Sequence, residues 1–313
     1  MKKIKIAKTD IAVSPLCMGG CPLGGYGWGN VEREDLVNAV KTAVDNGINV
    51  FDTSDTYGLG ESERVLADAF GVNNKNVVIS TKFGVRVSGG KTVYDNTRAY
   101  ALEAIDNSLK RLGRDYVDIY YVHYRDGKTP LLEIVETMEL LKKQGKIRYY
   151  GLSNIHQADY EELKTLGKDN PFVAVQDEYS LACRKNEKEL FTFRDEFSLT
   201  PFTWGSLGQG VLTGKYDKDS KFESNDRRSR DIYVNFHDKL NKNLGIVEEL
   251  KKVANEVDKP ISAVAIRWIL DYLKQSVAVV GAKSPKQVLE NIKSLEWTLS
   301  DDQISRLEKV SKE

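Results

Sequence analysis

Short apolar runs alternate with longer amphipathic stretches along nearly the whole chain. The runs are rich in β-branched residues and predict eight strands, at residues 16–18, 49–51, 77–81, 117–122, 147–151, 173–176, 200–203 and 277–280. The stretches between and after them have a helical period and predict helices at residues 33–46, 61–70, 97–112, 131–143, 158–166, 245–257 and 261–272. Strands and helices that alternate roughly every thirty residues are typical of repeated βα units and a parallel sheet.

Eight such units can close into a barrel or form an open doubly wound sheet. No linker divides the 313 residues, so the pattern favours one domain over residues 1–313, an α/β protein of the (β/α)8 TIM-barrel class. The open dinucleotide-binding fold shows G-x-G-x-x-G after its first strand, and the glycines of residues 18–29 have a different spacing. We expect an N-terminal β-hairpin that closes the bottom of the barrel, extra C-terminal helices, and a functional lid in the polar insertion at residues 215–244.

Composition and charge exclude several classes of protein. Lys plus Arg and Asp plus Glu both number 46, and no long basic run appears, so we expect no nucleic-acid partner. The three cysteines, Cys17, Cys21 and Cys183, lack metal-site spacing and favour a reducing cytoplasm. No signal-peptide pattern and no stretch of transmembrane length occurs, so we expect a cytoplasmic protein without a membrane partner.

Polar residues stand at the ends of the apolar runs, where the active site of such a barrel lies. Asp52 follows strand two, with Tyr57 in the loop behind it, and strands three and four end in Lys82 and His123. Each of these alone would be an ordinary cap, loop or structural residue. Three polar residues at consecutive strand ends must lie side by side around one mouth, which favours a functional interpretation. The later strands end in Ser153 and Asn154, in Gln176 and Glu178, and in Trp204.

These residue types together suit the reduction of a carbonyl group. The pKa of a free tyrosine, near 10, is too high for easy proton donation at neutral pH. We expect the ammonium group of Lys82 to lower the pKa of Tyr57, while Asp52 holds Lys82 charged and in place. Tyr57 would then be the general acid for a carbonyl, or the base for an alcohol, and His123 would orient the same oxygen. Hydride must come from a cofactor, because no side chain carries it.

Three other functional classes fit parts of the pattern. A glycosidase would use two carboxylates, here Asp52 and Glu178, but gives no task to Tyr57 or Lys82. A metal-dependent isomerase or hydrolase would need His123, Asp126 and Glu178 as ligands, although no paired ligand spacing occurs. A nicotinamide-sensing subunit would bind the cofactor and act through a partner protein.

The ordered motifs around these residues resemble those of the aldo-keto reductase superfamily over nearly the whole chain. The resemblance rests on FDTSDTYGLGESE at Asp52, STKFG at Lys82 and RDYVDIYYVHYRD at His123, followed by GKIRYYGLSN, VAVQDEYS, LGQGVLTGKY and VVGAKSPKQVLENI. The sequence is most similar to a bacterial branch of stress-induced reductases and to potassium-channel β-subunits. The resemblance implies an NADP(H)-binding barrel that acts on aldehydes, ketones or alcohols and needs no metal.

The resemblance also implies a role for each motif residue. Asp52, Tyr57, Lys82 and His123 would form the catalytic tetrad, and Trp204 would stack on the nicotinamide ring. The other cofactor contacts would be Ser153, Asn154 and Gln176 at the carboxamide, Gly205, Ser206, Leu207, Gly208 and Lys215 along the pyrophosphate, Gly281, Lys283, Gln287, Glu290 and Asn291 around the adenosine, and in addition Gly20 and Cys21. Trp28 and Tyr124 would line the substrate pocket.

The chain departs from the common family pattern at three places. Gly20 and Cys21 stand where many members have Gly-Thr or Gly-Thr-Trp, which removes a threonine contact and a tryptophan wall. Residues 204–206 read Trp-Gly-Ser in place of the frequent Tyr-Ser-Pro, and Gln287 stands where many members have arginine, although channel-subunit-like sequences also have glutamine there. These differences bear on the substrate and on the choice between NADP and NAD.

The stretch GAKSPKQ at residues 281–287 bears on the cofactor. A helix that begins near Pro285 would point its positive end at a phosphate, next to Lys283, Ser284 and Lys286. We therefore expect NADP(H) to bind more tightly than NAD(H), by about tenfold to a hundredfold. The sequence predicts an NADP(H)-dependent carbonyl reductase, and the alternative is a nicotinamide-binding regulatory subunit with slow catalysis.

Overall fold

The computed structural model describes residues 1–72, 74–167 and 169–312. The strands, in chain order, are β1 (Ile4–Lys5), β2 (Ala12–Val13), β3 (Leu16–Gly19), β4 (Val50–Asp52), β5 (Val78–Phe83), β6 (Val85–Ser88), β7 (Lys91–Tyr94), β8 (Val117–Val122), β9 (Ile147–Ser153), β10 (Ala174–Glu178), β11 (Thr200–Trp204) and β12 (Val277–Gly281). Strands β3, β4, β5, β8, β9, β10, β11 and β12 pair in parallel, in this order, and close into a barrel. The predicted TIM barrel is confirmed.

Helices follow the barrel strands and cover the outside of the barrel. They are α1 (Arg33–Asp45), α2 (Glu61–Phe70), α3 (Arg98–Leu112), α4 (Leu131–Lys143), α5 (Gln157–Leu166), α6 (Glu187–Asp195), α7 (Leu240–Val257), α8 (Ile261–Leu273), α9 (Pro285–Ile292) and α10 (Asp301–Ser311). The prediction that α7 begins at residue 245 is wrong. Gly245 lies inside the helix. It is on an open face, because a Cβ atom at this position would have no neighbouring atom within 4 Å.

Two antiparallel hairpins accompany the barrel. Strands β1 and β2 form the predicted N-terminal hairpin, and its residues Ile6, Ile11 and Val13 are buried against side chains of the barrel interior. The backbone N–H of Ala7 donates to Thr200 Oγ1 at 2.9 Å, at the start of β11, so this hairpin closes the amino end of the barrel. Strands β6 and β7 form a second hairpin, which the sequence analysis did not predict.

The insertion at residues 215–244 folds over the opposite, carboxyl end of the barrel. It contains short 3-10 turns at Arg227–Ser229 and Val234–Phe236. Arg228 anchors it, because its guanidinium donates to Asp226 and, at 2.7 Å, to the Tyr216 hydroxyl. The backbone N–H of Arg227 donates to the carbonyl of Gly27 at 3.0 Å and fixes the insertion to the loop after β3. Within the described ranges, no helix has both the length and the apolar character needed to cross a membrane.

Candidate active site

A cavity of about 820 Å³ opens at the carboxyl ends of the barrel strands, under the insertion. All of the predicted site residues line it except Lys82 and Gly208. Lys82 is fully buried behind the lining residues. Gly208 occupies a left-handed turn position, and a Cβ there would lie 2.9 Å from Val211 and 3.0 Å from Ala182, so this residue packs against the protein and away from the cavity.

The structure brings Asp52, Lys82 and Tyr57 together at the floor of the cavity. Lys82 Nζ lies 2.5 Å from Asp52 Oδ2 and 3.5 Å from the Tyr57 hydroxyl oxygen. Asp52 Oδ1 also accepts hydrogen bonds from Ser80 Oγ at 2.7 Å and from Gln176 Nε2 at 2.9 Å. Because the ammonium group donates to the phenol oxygen, the hydroxyl proton of Tyr57 remains available for another acceptor.

Two glycines hold the Tyr57 loop close to the first βα loop. Gly58 has φ +61°, and a Cβ there would lie 2.1 Å from the carbonyl oxygen of Gly24. A Cβ on Gly24 would in turn lie 2.7 Å from the backbone of Tyr57 and of Gly58. The backbone N–H of Ser62, in the first turn of α2, donates to the Tyr57 carbonyl. Tyr57 is therefore fixed from both sides, by the loop after β3 and by the start of α2.

The expected lowering of the Tyr57 pKa is wrong. Burial raises the pKa of the Tyr57 phenol well above its usual value near 10, the negative charge of Asp52 adds to this rise, and the positive charge of Arg227 opposes it. Asp52 lies 2.5 Å from Lys82 and offsets most of the ammonium charge that the phenol would otherwise experience, so burial is the dominant influence on this pKa. Tyr57 therefore keeps its proton at neutral pH, and its donation requires that the phenolate be stabilised as it forms, for which the Lys82 ammonium group lies 3.5 Å away.

His123 lies next to Tyr57 and is neutral at physiological pH. The two rings meet edge to face with their centroids 5.8 Å apart. Burial, and next the positive charge of Lys82, lower the pKa of His123 well below its usual value near 6.5. Its Nδ1 atom lies 3.3 Å from the Ser54 hydroxyl. A neutral imidazole with one N–H can donate a single hydrogen bond to an oxygen in the cavity.

The polar residues at the ends of β9 to β11 form one hydrogen-bonded group. Asn154 Nδ2 donates to the His123 carbonyl at 2.9 Å, and Asn154 Oδ1 accepts from Trp204 Nε1 at 3.1 Å. Ser153 accepts a further bond from Asn154 at 3.1 Å. Gln176 gives one amide N–H to Asp52, which leaves its second N–H and its carbonyl oxygen for a ligand. These contacts fix the edge of the Trp204 indole and leave its face for stacking.

Cations gather at the far end of the cavity. Lys215, Arg228 and Lys283 all line the cavity. Burial, and next the positive charges of Arg228 and Lys215, lower the pKa of Lys283, while the negative charge of Asp226 opposes this. Lys283 Nζ donates to the Trp28 carbonyl at 2.6 Å, and Lys215 pairs with Glu290 at 3.6 Å. At the start of α9, Gln287 accepts from the backbone N–H of Lys283 and gives its own N–H to Ser284. Ser284 therefore caps the N–H of Gln287 at the helix start.

The sequence analysis missed most of the wall that the insertion contributes. Arg227, Arg228, Tyr233 and Asn235 line the cavity together with the predicted residues. The sequence signal for this wall is the arginine pair in the polar insertion. The length of the insertion by itself predicts only a lid. No period or spacing in such an irregular segment indicates which of its side chains turn inward.

The comparisons with known proteins agree on one family. The model of the Aldo/keto reductase family matches residues 15–312. The aldo-keto reductase YhdN of Bacillus subtilis (strain 168) is 33% identical over 307 residues, which cover 97% of this chain and 92% of that protein. The structure of the glycerol dehydrogenase AKR11B4 from Gluconobacter oxydans superposes with a TM-score of 0.88 at 29% identity, covering 98% of this chain and 94% of the other.

Further relatives differ in cofactor and in role. The NADH-specific methylglyoxal reductase of Escherichia coli (strain K12) is 29% identical over 96% of this chain and 95% of its own length. An aldo/keto reductase from Klebsiella pneumoniae, solved with NADP and acetate, has a TM-score of 0.76 at 25% identity and covers 99% of this chain and 96% of the other. A putative voltage-gated potassium channel subunit beta from Schizosaccharomyces pombe (strain 972 / ATCC 24843) is 29% identical over 93% of this chain and 87% of that protein. With a family model matched almost from end to end, this chain belongs to the aldo-keto reductase family.

Proposed function

We propose that this protein is an NADP(H)-dependent oxidoreductase that reduces aldehydes or ketones to alcohols, with Tyr57 as the general acid. The observation that carries the proposal is the arrangement of Tyr57, Lys82 and His123 at the floor of a cavity large enough for a dinucleotide. A protonated phenol, an ammonium group 3.5 Å behind it and a neutral imidazole beside it are the groups that carbonyl reduction needs.

The residues of the cavity fit a nicotinamide dinucleotide. At one end lie the hydrogen-bonded group of Ser153, Asn154 and Gln176 and the flat face of Trp204, which suit a carboxamide on an aromatic ring. At the other end the cations of Lys215, Arg228 and Lys283 suit phosphates. When bound, the reduced cofactor supplies the hydride that reaches the carbonyl carbon.

The side chains around the carbonyl oxygen would each have one task. Tyr57 donates its hydroxyl proton to the oxygen as negative charge develops there. Lys82, which already donates to the phenol oxygen, stabilises the phenolate that remains. His123 donates a second hydrogen bond through Nε2–H when Ser54 donates to Nδ1, and this fixes the orientation of the carbonyl. Asp52 is a positioning residue, because it acts through Lys82.

We infer a preference for NADP(H) from the cation group at the far end. A 2′-phosphate carries nearly two negative charges and gains from Lys283 and Arg228, whereas the hydroxyl of NAD gains little. Support comes from the relative solved with NADP, while the NADH-specific relative shows that family membership alone does not decide the cofactor. Gln287 lacks the planar fork of arginine, so we place the preference at the low end, about tenfold.

A regulatory subunit with slow catalysis is the second candidate, because a putative channel subunit is among the relatives. A turnover assay separates the two functions. The loss of reduced-nicotinamide absorbance is followed with a panel of aldehydes and sugars, using NADPH and NADH in parallel. We expect NADPH-dependent turnover on the order of 1–10 per second with at least one carbonyl compound, as is usual for enzymes. Turnover slower than about one per minute with every compound, alongside tight NADPH binding, would favour the regulatory subunit.

A further inference from the structure

Arg227 lies on the wall of the cavity near the Tyr57 hydroxyl. It lines the same cavity as Tyr57 and His123, and its positive charge opposes the rise of the Tyr57 pKa. Its Nη1 atom lies 3.7 Å from Cys21 Sγ, and its Nη2 atom donates to the Tyr26 carbonyl at 2.9 Å. The guanidinium is therefore held beside the reacting end of the cavity.

Arg227 and Arg228 lie on the same wall of the cavity but have different partners. Lys283 Nζ donates to the Trp28 carbonyl at 2.6 Å, on this wall. Both arginines stack near the Trp28 ring, with guanidinium carbons 5.2 Å and 5.8 Å from its centroid. Arg228 is paired there with Asp226 at 2.6 Å, whereas the Arg227 guanidinium contacts Cys21 and the Tyr26 carbonyl in the loop after β3.

Several charged residues around the cavity are paired with a counter-charge. Asp52 pairs with Lys82 at 2.5 Å, and Glu178 pairs with Lys185 at 3.3 Å. Among the residues that the structure describes, no carboxylate comes within 4.0 Å of the Arg227 guanidinium, whose partners are a sulfur atom, a carbonyl and the Tyr233 hydroxyl. A partly buried cation without an anion carries a desolvation cost that an anionic ligand would offset.

Two further features bear on the binding of an anion at this wall. Trp28 Nε1 and Arg227 Nε are fully buried and have no hydrogen-bond partner in the described part of the chain, so they add to the uncompensated polarity of the wall without themselves reaching the cavity. The close position of Arg227 depends on Gly27, where a Cβ would lie 2.6 Å from Arg227 Nε. The planar fork of a guanidinium matches a carboxylate better than it matches a point acceptor.

We propose that Arg227 binds a carboxylate on the substrate, so that the enzyme prefers carbonyl compounds that also carry a carboxylate group. This inference rests on the proposed function, since it names the substrate class of the same site. The carboxylate takes no part in the chemistry. Hydride adds to the carbonyl carbon, the Tyr57 proton adds to the oxygen, and the carboxylate leaves unchanged with the alcohol. Charge-assisted hydrogen bonds of this kind correspond to about tenfold to a hundredfold in binding.

The test compares two aldehydes of nearly equal shape, 4-formylbenzoate and 4-formylbenzamide, with NADPH as the reductant. We expect kcat/KM of the parent protein to favour the carboxylate by about tenfold to a hundredfold. Arg227→Gln should lower kcat/KM for 4-formylbenzoate alone and so bring this ratio close to one. Arg227→Lys should keep part of the preference for the carboxylate. Arg230→Gln is the matched control, because Arg230 lies in the same insertion, is exposed and bonds the Tyr26 hydroxyl outside the cavity. It should keep the parent ratio.

Two binding measurements accompany the kinetics. Calorimetry with 4-(hydroxymethyl)benzoate in the presence of NADPH, where no reaction follows, should show weaker binding to Arg227→Gln by a similar factor. The dissociation constant of NADPH, from tryptophan fluorescence, should be equal in the two proteins. A parent ratio near one, equal losses on both aldehydes, or weaker NADPH binding with an unchanged ratio would overturn the proposal. If neither aldehyde is reduced, the proposed function fails, and the calorimetric comparison still decides whether Arg227 binds the carboxylate.

Discussion

Replacing Lys82 by methionine removes the ammonium group behind Tyr57 and leaves an apolar side chain of similar length. At an effective dielectric constant of about 20, a unit charge 3.5 Å from the phenolate oxygen contributes roughly 5 kcal/mol. Asp52 lies 2.5 Å from Lys82 Nζ, hence no more than about 6 Å from that oxygen, and opposes this by roughly 3 kcal/mol. The ion pair together therefore stabilises a full phenolate by no more than about 2 kcal/mol.

These charges predict that the variant lacking only the Lys82 ammonium group is slower than the variant lacking both charges. Lys82→Met alone leaves the Asp52 charge unopposed and should slow hydride transfer by up to about five-thousandfold, while Lys82→Met with Asp52→Asn removes both charges and should lose no more than about thirtyfold. The assay is a single-turnover measurement with saturating NADPH and one aldehyde. A single variant as fast as the double variant, or faster, would refute the electrostatic role of Lys82.

The same variants should differ in stability. Breaking a buried ion pair from one side costs about 3–5 kcal/mol, and Ser80 and Gln176 still donate to Asp52, so we expect about 3 kcal/mol for Lys82→Met by urea unfolding. Arg114→Met is the matched control, because it breaks a buried pair with Asp118 at the amino end of the barrel. That variant should lower stability and leave the single-turnover rate unchanged.

Three further predictions concern residues around the site. Burial raises the pKa of Asp55 to about 7, above its unfolded value near 4, so the folded state binds more protons and stability falls as pH rises through this window. Asp55→Asn should remove the part of this pH dependence of stability that comes from Asp55. The measurement is the urea midpoint of both proteins near pH 5 and near pH 8. Gly58→Ala should displace the Tyr57 loop, because its Cβ would meet the Gly24 carbonyl, and lower kcat by at least about tenfold with NADPH affinity retained. Lys283→Ala should weaken NADPH binding by about tenfold and NADH binding by less than about twofold, as measured by tryptophan fluorescence.

The barrel could be predicted because its signal is a repeated one. Each apolar run and each helical stretch supports the same βα unit, so errors at single residues do not change the architecture. The predicted strands nevertheless ended too early, since β5 continues through Lys82 and β10 through Glu178. Glu178 lines the cavity and Lys82 lies buried behind its lining, while the backbone of both residues still pairs within the sheet. A polar residue after an apolar run was therefore a better indicator of the site than of the last residue of the strand.

The electrostatics and the insertion could not be predicted in the same way. The direction of the Tyr57 pKa depends on how closely Asp52 approaches Lys82 and on how deeply the phenol is buried, and neither follows from spacing in the sequence. Arg227 and Arg228 are adjacent in an irregular segment, yet Arg228 pairs with Asp226 while Arg227 contacts Cys21 and the Tyr26 carbonyl. The β6–β7 hairpin does have a sequence signal, because a glycine-glycine pair between alternating runs is typical of a hairpin turn. In the structure, Gly89 and Gly90 both have positive φ.

Proton donation by Tyr57 is the central claim, and the single-turnover rate of Tyr57→Phe tests it most directly. The variant lacks only the hydroxyl group, so ring packing against His123 is retained. With saturating NADPH and an aldehyde that the parent protein reduces, we expect hydride transfer at neutral pH to slow by about a hundredfold or more, with the dissociation constant of NADPH unchanged. A variant that keeps more than about half of the parent rate would contradict the assignment of Tyr57 as the general acid.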